Sequence, residues 1–148
     1  MARSAPAGKG VPGKAARLSA FLDTNVLVRF FTGDPPELAR RAAAYLARAD
    51  ELLVPDLVVA ETVYVLESFY EVERARISEL LRAVLAFPAV VVVDGALLLR
   101  ALEVYEVERL DFADAYLVAC AEATGVDGIV SFDRSIDRVG TVRRIEPS

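Results

Sequence analysis

Histidine is absent from the 148 residues, and cysteine occurs once. The first absence removes Ser-His-Asp and Cys-His nucleophile chemistry, histidine general-base catalysis and His-ligated zinc. The second leaves Cys120 with no partner for an intrachain disulfide. Lysine is nearly missing too: Lys9 and Lys14 both lie in the first twenty residues, so no lysine is available to balance an anion in the body of the chain. No apolar run is long enough to span a bilayer, and the longest, Ala83 to Val93, contains Pro88. Residues 1–17 carry Gly, Pro and basic side chains but no apolar signal-peptide core. These absences describe a cytoplasmic protein with no membrane segment. Any catalysis must rest on carboxylates, hydroxyls, arginines or a bound ion.

What is present is apolar and acidic. Hydrophobic residues make up 55% of the chain and the mean hydropathy is +0.38, which suits one domain with a substantial core. Residues 1–20 hold Arg3, Lys9, Lys14 and Arg17 and no acid, so the remainder carries −9 against a total of −5. An acidic body does not resemble a general nucleic-acid binder, whose surface is normally basic. A nucleic-acid substrate therefore requires cations or local arginines to correct the field.

Residues 1–17, "MARSAPAGKGVPGKAAR", read as a disordered basic tail, and 18–148 as a single domain. Strand and helix patterns then alternate. "LSAFLD" (18–23) is a short apolar strand. "PPELARRAAAYLARAD" (35–50) is an amphipathic helix with Asp34 as its cap and Pro35 at its first position. "LLVP" (52–55) is a strand, and "DLVVAETVYVLESFY" (56–70) a helix capped by Asp56. Further helices follow at 73–87 and 95–110, with the β-branched strand "AVVVVD" (89–94) between them. "RLDFADAYLVACAEA" leads a last helix that ends near Gly125. "GIVSFD" (128–133) and "TVRRIE" (141–146) close the chain as strands. The expected fold is α/β: a central, mostly parallel sheet with helices on both faces. In such folds ligands bind beyond the carboxyl ends of the strands.

Several carboxylates are hard to place as ordinary surface. Asp23 ends the first strand and either caps the next helix, with Thr24 or Asn25 sharing that task, or belongs to a site. Asp133 is either an Asx-turn residue before "RSIDRV" or a site acid. Glu61 is flanked at −4, −3, +3 and +4 by Leu57, Val58, Tyr64 and Val65, which places it near the core. A buried carboxylate needs an arginine, a donor, a proton or a metal. Asp114 has Leu117 and Val118 at +3 and +4, and bonds to the first-turn amides are its ordinary explanation. Asp111 is a good N-cap. If Asp23, Glu61, Asp114 and Asp133 converge, they cannot all remain ionised without a cation. All-oxygen ligation selects Mg²⁺ or Mn²⁺.

Four stretches carry a family resemblance over about residues 18–146: "FLDTNVLVRFF" (21–31), "VPDLVVAETVYVL" (54–66), "LDFADAYLVACAEATG" (110–125) and "IVSFDRSIDRV" (129–139). In this order they resemble PIN-domain ribonucleases, specifically the VapC-type toxins of toxin–antitoxin pairs. The resemblance implies a PIN-like fold. It implies that Asp23, Glu61, Asp114 and Asp133 are the catalytic, metal-holding acids, with Thr24, Asn25 and Asp111 in support. It further implies one or two Mg²⁺ or Mn²⁺ ions, an RNA substrate, in-line attack by water leaving 5′-phosphate and 3′-hydroxyl ends, a homodimer, and a cognate antitoxin laid in an apolar groove. Arg29, Arg134 and Arg138 are then candidates for the RNA backbone, against an ordinary role as solvated arginines. The N-terminal tail departs from the family pattern.

"FLDTNVLV" also resembles a phosphoaspartyl enzyme of the haloacid-dehalogenase type. That chemistry needs an acid where Asn25 stands and a lysine beside the phosphoryl group, and the body has none. A non-catalytic PIN-like scaffold that binds RNA or a partner is the remaining alternative. The acidic residues at all four positions favour the nuclease.

Overall fold

The computed structural model describes residues 2–4 and 19–148. In chain order these form β1 (Arg3–Ser4), β2 (Ser19–Phe21), α1 (Thr24–Thr32), α2 (Pro36–Arg48), β3 (Glu51–Leu53), α3 (Asp56–Ser68), α4 (Arg74–Leu85), β4 (Val90–Val92), α5 (Gly95–Glu103), α6 (Phe112–Thr124), β5 (Ile129–Val130) and β6 (Arg144–Ile145). A π-turn at Val104–Glu108 follows α5, and a 3-10 turn at Arg134–Arg138 follows β5.

The main sheet is parallel, in the order β1-β4-β3-β2. Ala20 faces Leu52, and Leu52 faces Val90, across the ladder. Val90, Val91 and Val92 are all buried. Successive strand residues point to opposite faces, so burial of all three means that both faces of β4 are covered. This is the layering the β-branched run implied. α5 packs on α6, and α1 packs on both α2 and α3. Leu27, Leu52, Leu66, Ile77, Leu98 and Ile136 are at most 1% exposed and anchor one core that joins every helical layer.

The structure departs from the sequence reading in four places. β5 and β6 pair with each other, parallel, as a separate two-stranded sheet rather than extending the main one. Gly128 permits this pairing, because a Cβ there would collide with the carbonyl of Arg143. Within the stretch read as a disordered tail, Arg3 and Ser4 pair with Val91 and Val92 at the sheet edge; residues 5–17 of that stretch lie outside the described residues. Pro35 and Pro55, not Asp34 and Asp56, occupy the N-cap positions of α2 and α3. A proline fits there because its fixed φ suits the extended residue that precedes a helix. Finally, the helix expected over 95–110 breaks into α5, the π-turn and Arg109, which adopts the left-handed conformation at φ 58°. π-turns inside helices often mark functional regions, and this one delivers the chain to Asp111.

Candidate active site

Asp23 sits one residue past the core residue Leu22 and occupies the N-cap position of α1, where its side chain makes no capping bond. It is exposed, as is Asn25. Thr24 between them is buried and donates its hydroxyl to Glu61 Oε2 at 2.8 Å. This bond joins the first residue of α1 to the middle of α3. Asp23, Thr24, Asn25 and Glu61 then line one cavity of about 260 Å³, together with Arg29, Phe69 and Tyr70. Arg29 Nη1 donates to Tyr70 Oη at 3.1 Å and to the Asp34 carbonyl at 3.2 Å.

The expectation that Glu61 lies near the core is wrong. Glu61 is exposed, and so are its neighbours Leu57 and Tyr64, at 77% and 70%. α3 is apolar nearly all round, so hydrophobic neighbours do not identify its inward face. Val59, Thr62, Val63 and Leu66 form that face, and Glu61 falls on the other side, at the cavity.

Asp114 lies in the first turn of α6, half-buried. Its carboxyl lies beside that of Asp133. Its pKa is raised, first by burial, then by Asp133 and by the charge of Asp111. Asp133 is exposed, and its Oδ1 accepts from the Ser135 N–H at 2.8 Å. The Asx-turn reading of Asp133 therefore holds, and it is compatible with the contact to Asp114. The Ser135 amide and hydroxyl, then Asp114 and Arg138, hold the Asp133 carboxyl below its usual range. The pair has one member pushed toward the proton and one away from it, the pattern of two carboxylates sharing a single proton or cation. Asp111 occupies the N-cap position of α6 without a side-chain capping bond; its contribution is charge beside Asp114.

The four acids are thus brought together in pairs: Asp23 with Glu61 through a shared cavity, and Asp114 with Asp133 through direct contact. Among the described residues, no three Asp, Glu or Cys side chains are gathered tightly enough to hold one ion between them. The donor chemistry, carboxylate and hydroxyl oxygen throughout, fits a hard divalent cation.

Sequence reasoning missed the residues that hold these pairs in place. Arg74, at the start of α4, donates through Nη1 to the carbonyls of Tyr105, at 2.8 Å, and of Leu110. Its guanidinium lies 4.1 Å from the centre of the Tyr105 ring. The Tyr105 hydroxyl donates to Glu67 Oε2 at 2.8 Å, and Glu67 pairs with Arg74 at 3.5 Å. Burial first, and the Glu67 carboxylate second, push the Tyr105 pKa upward, so it remains a donor. Arg74 thereby ties α3, which carries Glu61, to the π-turn and to Leu110, next to Asp111. On the other side, Arg138 Nη1 donates to the Arg109 carbonyl at 3.2 Å, joining the turn that follows Asp133 to the same segment. Tyr116 on α6 donates to Asp56 Oδ2 at 2.5 Å, a second tie between α6 and α3. No sequence signal distinguishes Arg74 from an ordinary helical arginine, and Tyr105 reads simply as core.

The chain belongs to the PIN-domain family: the PIN domain model matches residues 20–142, which takes in all four acids. It is also similar to the VapC ribonuclease of Aquifex aeolicus (strain VF5), with 29% identity over 132 residues, covering 86% of this chain and 98% of that protein. The α/β architecture and the VapC-type resemblance read from the four sequence stretches agree with both matches. No helix among the described residues is long and apolar enough to cross a membrane.

Proposed function

We propose that this chain is a metal-dependent endoribonuclease toxin of the VapC type, which hydrolyses RNA phosphodiester bonds at Asp23, Glu61, Asp114 and Asp133 and is neutralised by a cognate antitoxin. The observation that carries the reading is the Asp114–Asp133 contact, two carboxylates opposed at the start of α6 with no lysine or histidine to balance them. The cavity shared by Asp23 and Glu61 supports it, as does similarity to a protein named VapC ribonuclease.

Asp114 and Asp133 would hold Mg²⁺ or Mn²⁺, with Asp23 and Glu61 as the further acids of the site. When bound, such an ion lowers the pKa of a water and offsets charge on the transferring phosphoryl group. The protein's own part is positional. Thr24 occupies Glu61 Oε2, which fixes the rotamer of that carboxylate. Ser135 holds Asp133 ionised. The pKa of Asp114 is raised by burial and by Asp133, so a bound cation would favour its ionised form. The exposure of Asn25 and Asp111 supports an accessory role for them beside the metal-holding acids.

An apolar cavity of about 430 Å³ between α1, α2 and α4, lined by Phe30, Phe31, Leu80 and Val84 among others, supports binding of an antitoxin segment. The exposed Leu57 and Tyr64 on α3 support a homodimer. The scaffold alternative, binding RNA without cutting it, takes its support from the separation of the acids into two pairs. Cleavage of total RNA by the purified, partner-free protein decides between them. With Mn²⁺ or Mg²⁺ we expect discrete cuts, lost in EDTA and in Asp114→Asn. RNA binding with no cuts in either metal would establish the scaffold instead.

A further inference from the structure

The body of the chain is acidic, yet its arginines are not evenly spread. A trough of about 730 Å³ runs between the end of β2, α1 and α2, and its walls hold Arg29, Arg40, Arg41 and Arg48 against a single acid, Asp23. Arg40 is engaged by Glu37 on the same helix at 2.8 Å. Arg41 and Arg48 are exposed and face no carboxylate partner among the described residues. The trough is also aromatic. Phe21 is 74% exposed, and Tyr45 lies beneath Arg48 with the guanidinium 5.4 Å from the ring centre. Asp23, Asn25 and Arg29 line both this trough and the cavity shared with Glu61, so the trough opens onto the candidate active site.

We infer that this trough is the path by which a single RNA strand reaches Asp23, its phosphates held by Arg41, Arg48 and Arg29 and a base stacked on Phe21. Three features select RNA over an acidic peptide. Arginines beside an exposed aromatic, here Phe21, are the pattern of single-strand nucleic-acid grooves. An acidic peptide has no use for the aromatic faces. And the trough ends at Asp23, one of the acids proposed to cut a phosphodiester. It also resolves the objection raised by the net charge: the field is corrected locally, on one wall, while the rest of the body stays acidic. The amphipathic pattern of α2 concealed this, because Arg40, Arg41 and Arg48 read from sequence as the solvated face of an ordinary helix.

The inference rests on the ribonuclease reading above, and its test separates the two. Binding of a fluorescein-labelled, mixed-sequence single-stranded RNA of about twelve nucleotides, within the range of one groove, is measured by anisotropy over a salt series in the non-cleaving Asp114→Asn background. Adding Arg41→Gln and Arg48→Gln together should weaken binding about tenfold and reduce the salt slope by about 1.4, at ~0.7 per lost phosphate contact. Replacing both with lysine should restore most of the affinity, because lysine supplies the charge, and Phe21→Leu should weaken binding where Phe21→Trp does not. Arg76→Gln, which removes an exposed arginine of α4 paired with Glu79, controls for loss of a positive charge away from the trough and should leave binding as it was. If the wild type cuts RNA while the Arg41/Arg48 double variant binds no worse than Arg76→Gln, the trough is not the path and the nuclease reading survives. A poly-glutamate peptide that competes as well as RNA would also overturn it. A wild type that neither binds nor cuts RNA removes both.

Discussion

Tyr105→Phe isolates one bond in the network that carries Asp111 and Asp114. The ring is fully buried and lies under the Arg74 guanidinium; phenylalanine keeps both the packing and the cation–π contact, and only the hydroxyl bond to Glu67 is lost. A bond to a charged acceptor is worth about 1.5–3 kcal/mol. Glu67 is 40% exposed, so water can replace the lost donor and the cost falls below that range, to about 1–1.5 kcal/mol. For a chain of this size each kcal/mol moves Tm by roughly 2–4 °C, so a fall of about 2–6 °C is expected in a thermal melt followed by circular dichroism. Arg74→Met removes the cation–π contact, the ion pair and both carbonyl bonds. It strands the carbonyls of Tyr105 and Leu110 in the interior and should cost about 2–4 kcal/mol. Because Glu67 serves both residues, the double variant should lose less than the two singles added. The two singles should also differ in function. Tyr105→Phe leaves the Leu110 carbonyl clamped and should keep metal-dependent behaviour, whereas Arg74→Met frees the segment before Asp111 and should weaken it. A Tyr105→Phe protein that melts with wild type, or one destabilised as much as Arg74→Met, would refute this account of the network.

The acids themselves yield two more tests. Asp114 has a raised pKa, so the folded state holds its proton more tightly than the unfolded chain. That stabilisation is present below the unfolded-state value and is lost as pH rises through the raised one. In EDTA, therefore, wild type should lose stability relative to Asp114→Asn across that window, and the variant should be at least as stable at neutral pH. A wild type that gains on the variant as pH rises would contradict the contact. Asp133, held low chiefly by Ser135, contributes with the opposite sign: its stabilisation is lost as pH falls through its depressed value. The difference between wild type and the Asp114 variant, not wild type alone, is thus the quantity to read. For the metal, Mn²⁺ at about a hundred times its Kd should stabilise wild type by about 2.7 kcal/mol, a rise of roughly 5–11 °C in Tm. Asp114→Asn should show a much smaller rise, and a flat wild-type titration would count against the site.

The sequence singled out Asp23 and Asp133 as candidates because a strand-like stretch ends at each, and Asp114 because a carboxylate stands in an otherwise apolar helix. Glu61 was singled out on the wrong grounds: its apolar neighbours suggested burial, and Leu57 and Tyr64 are exposed. A helix that is apolar on every side has no periodicity from which to read a face. The caps of α2 and α3 were misplaced by one residue, because an aspartate beside a proline offers two adjacent cap candidates and only the backbone geometry chooses.

By itself, the sequence determined the α/β class, the order of the elements and the chemistry open to the protein. Those follow from local periodicity, and from a composition with no histidine and no lysine beyond residue 14. Only the tertiary structure decided which groups meet. The approach of Asp114 to Asp133, the locking of Glu61 by Thr24, the clamp of Arg74 on the Leu110 carbonyl and the gathering of arginines on one wall join residues from separate elements. Their spacing in space is set by core packing, which no local pattern in the chain encodes.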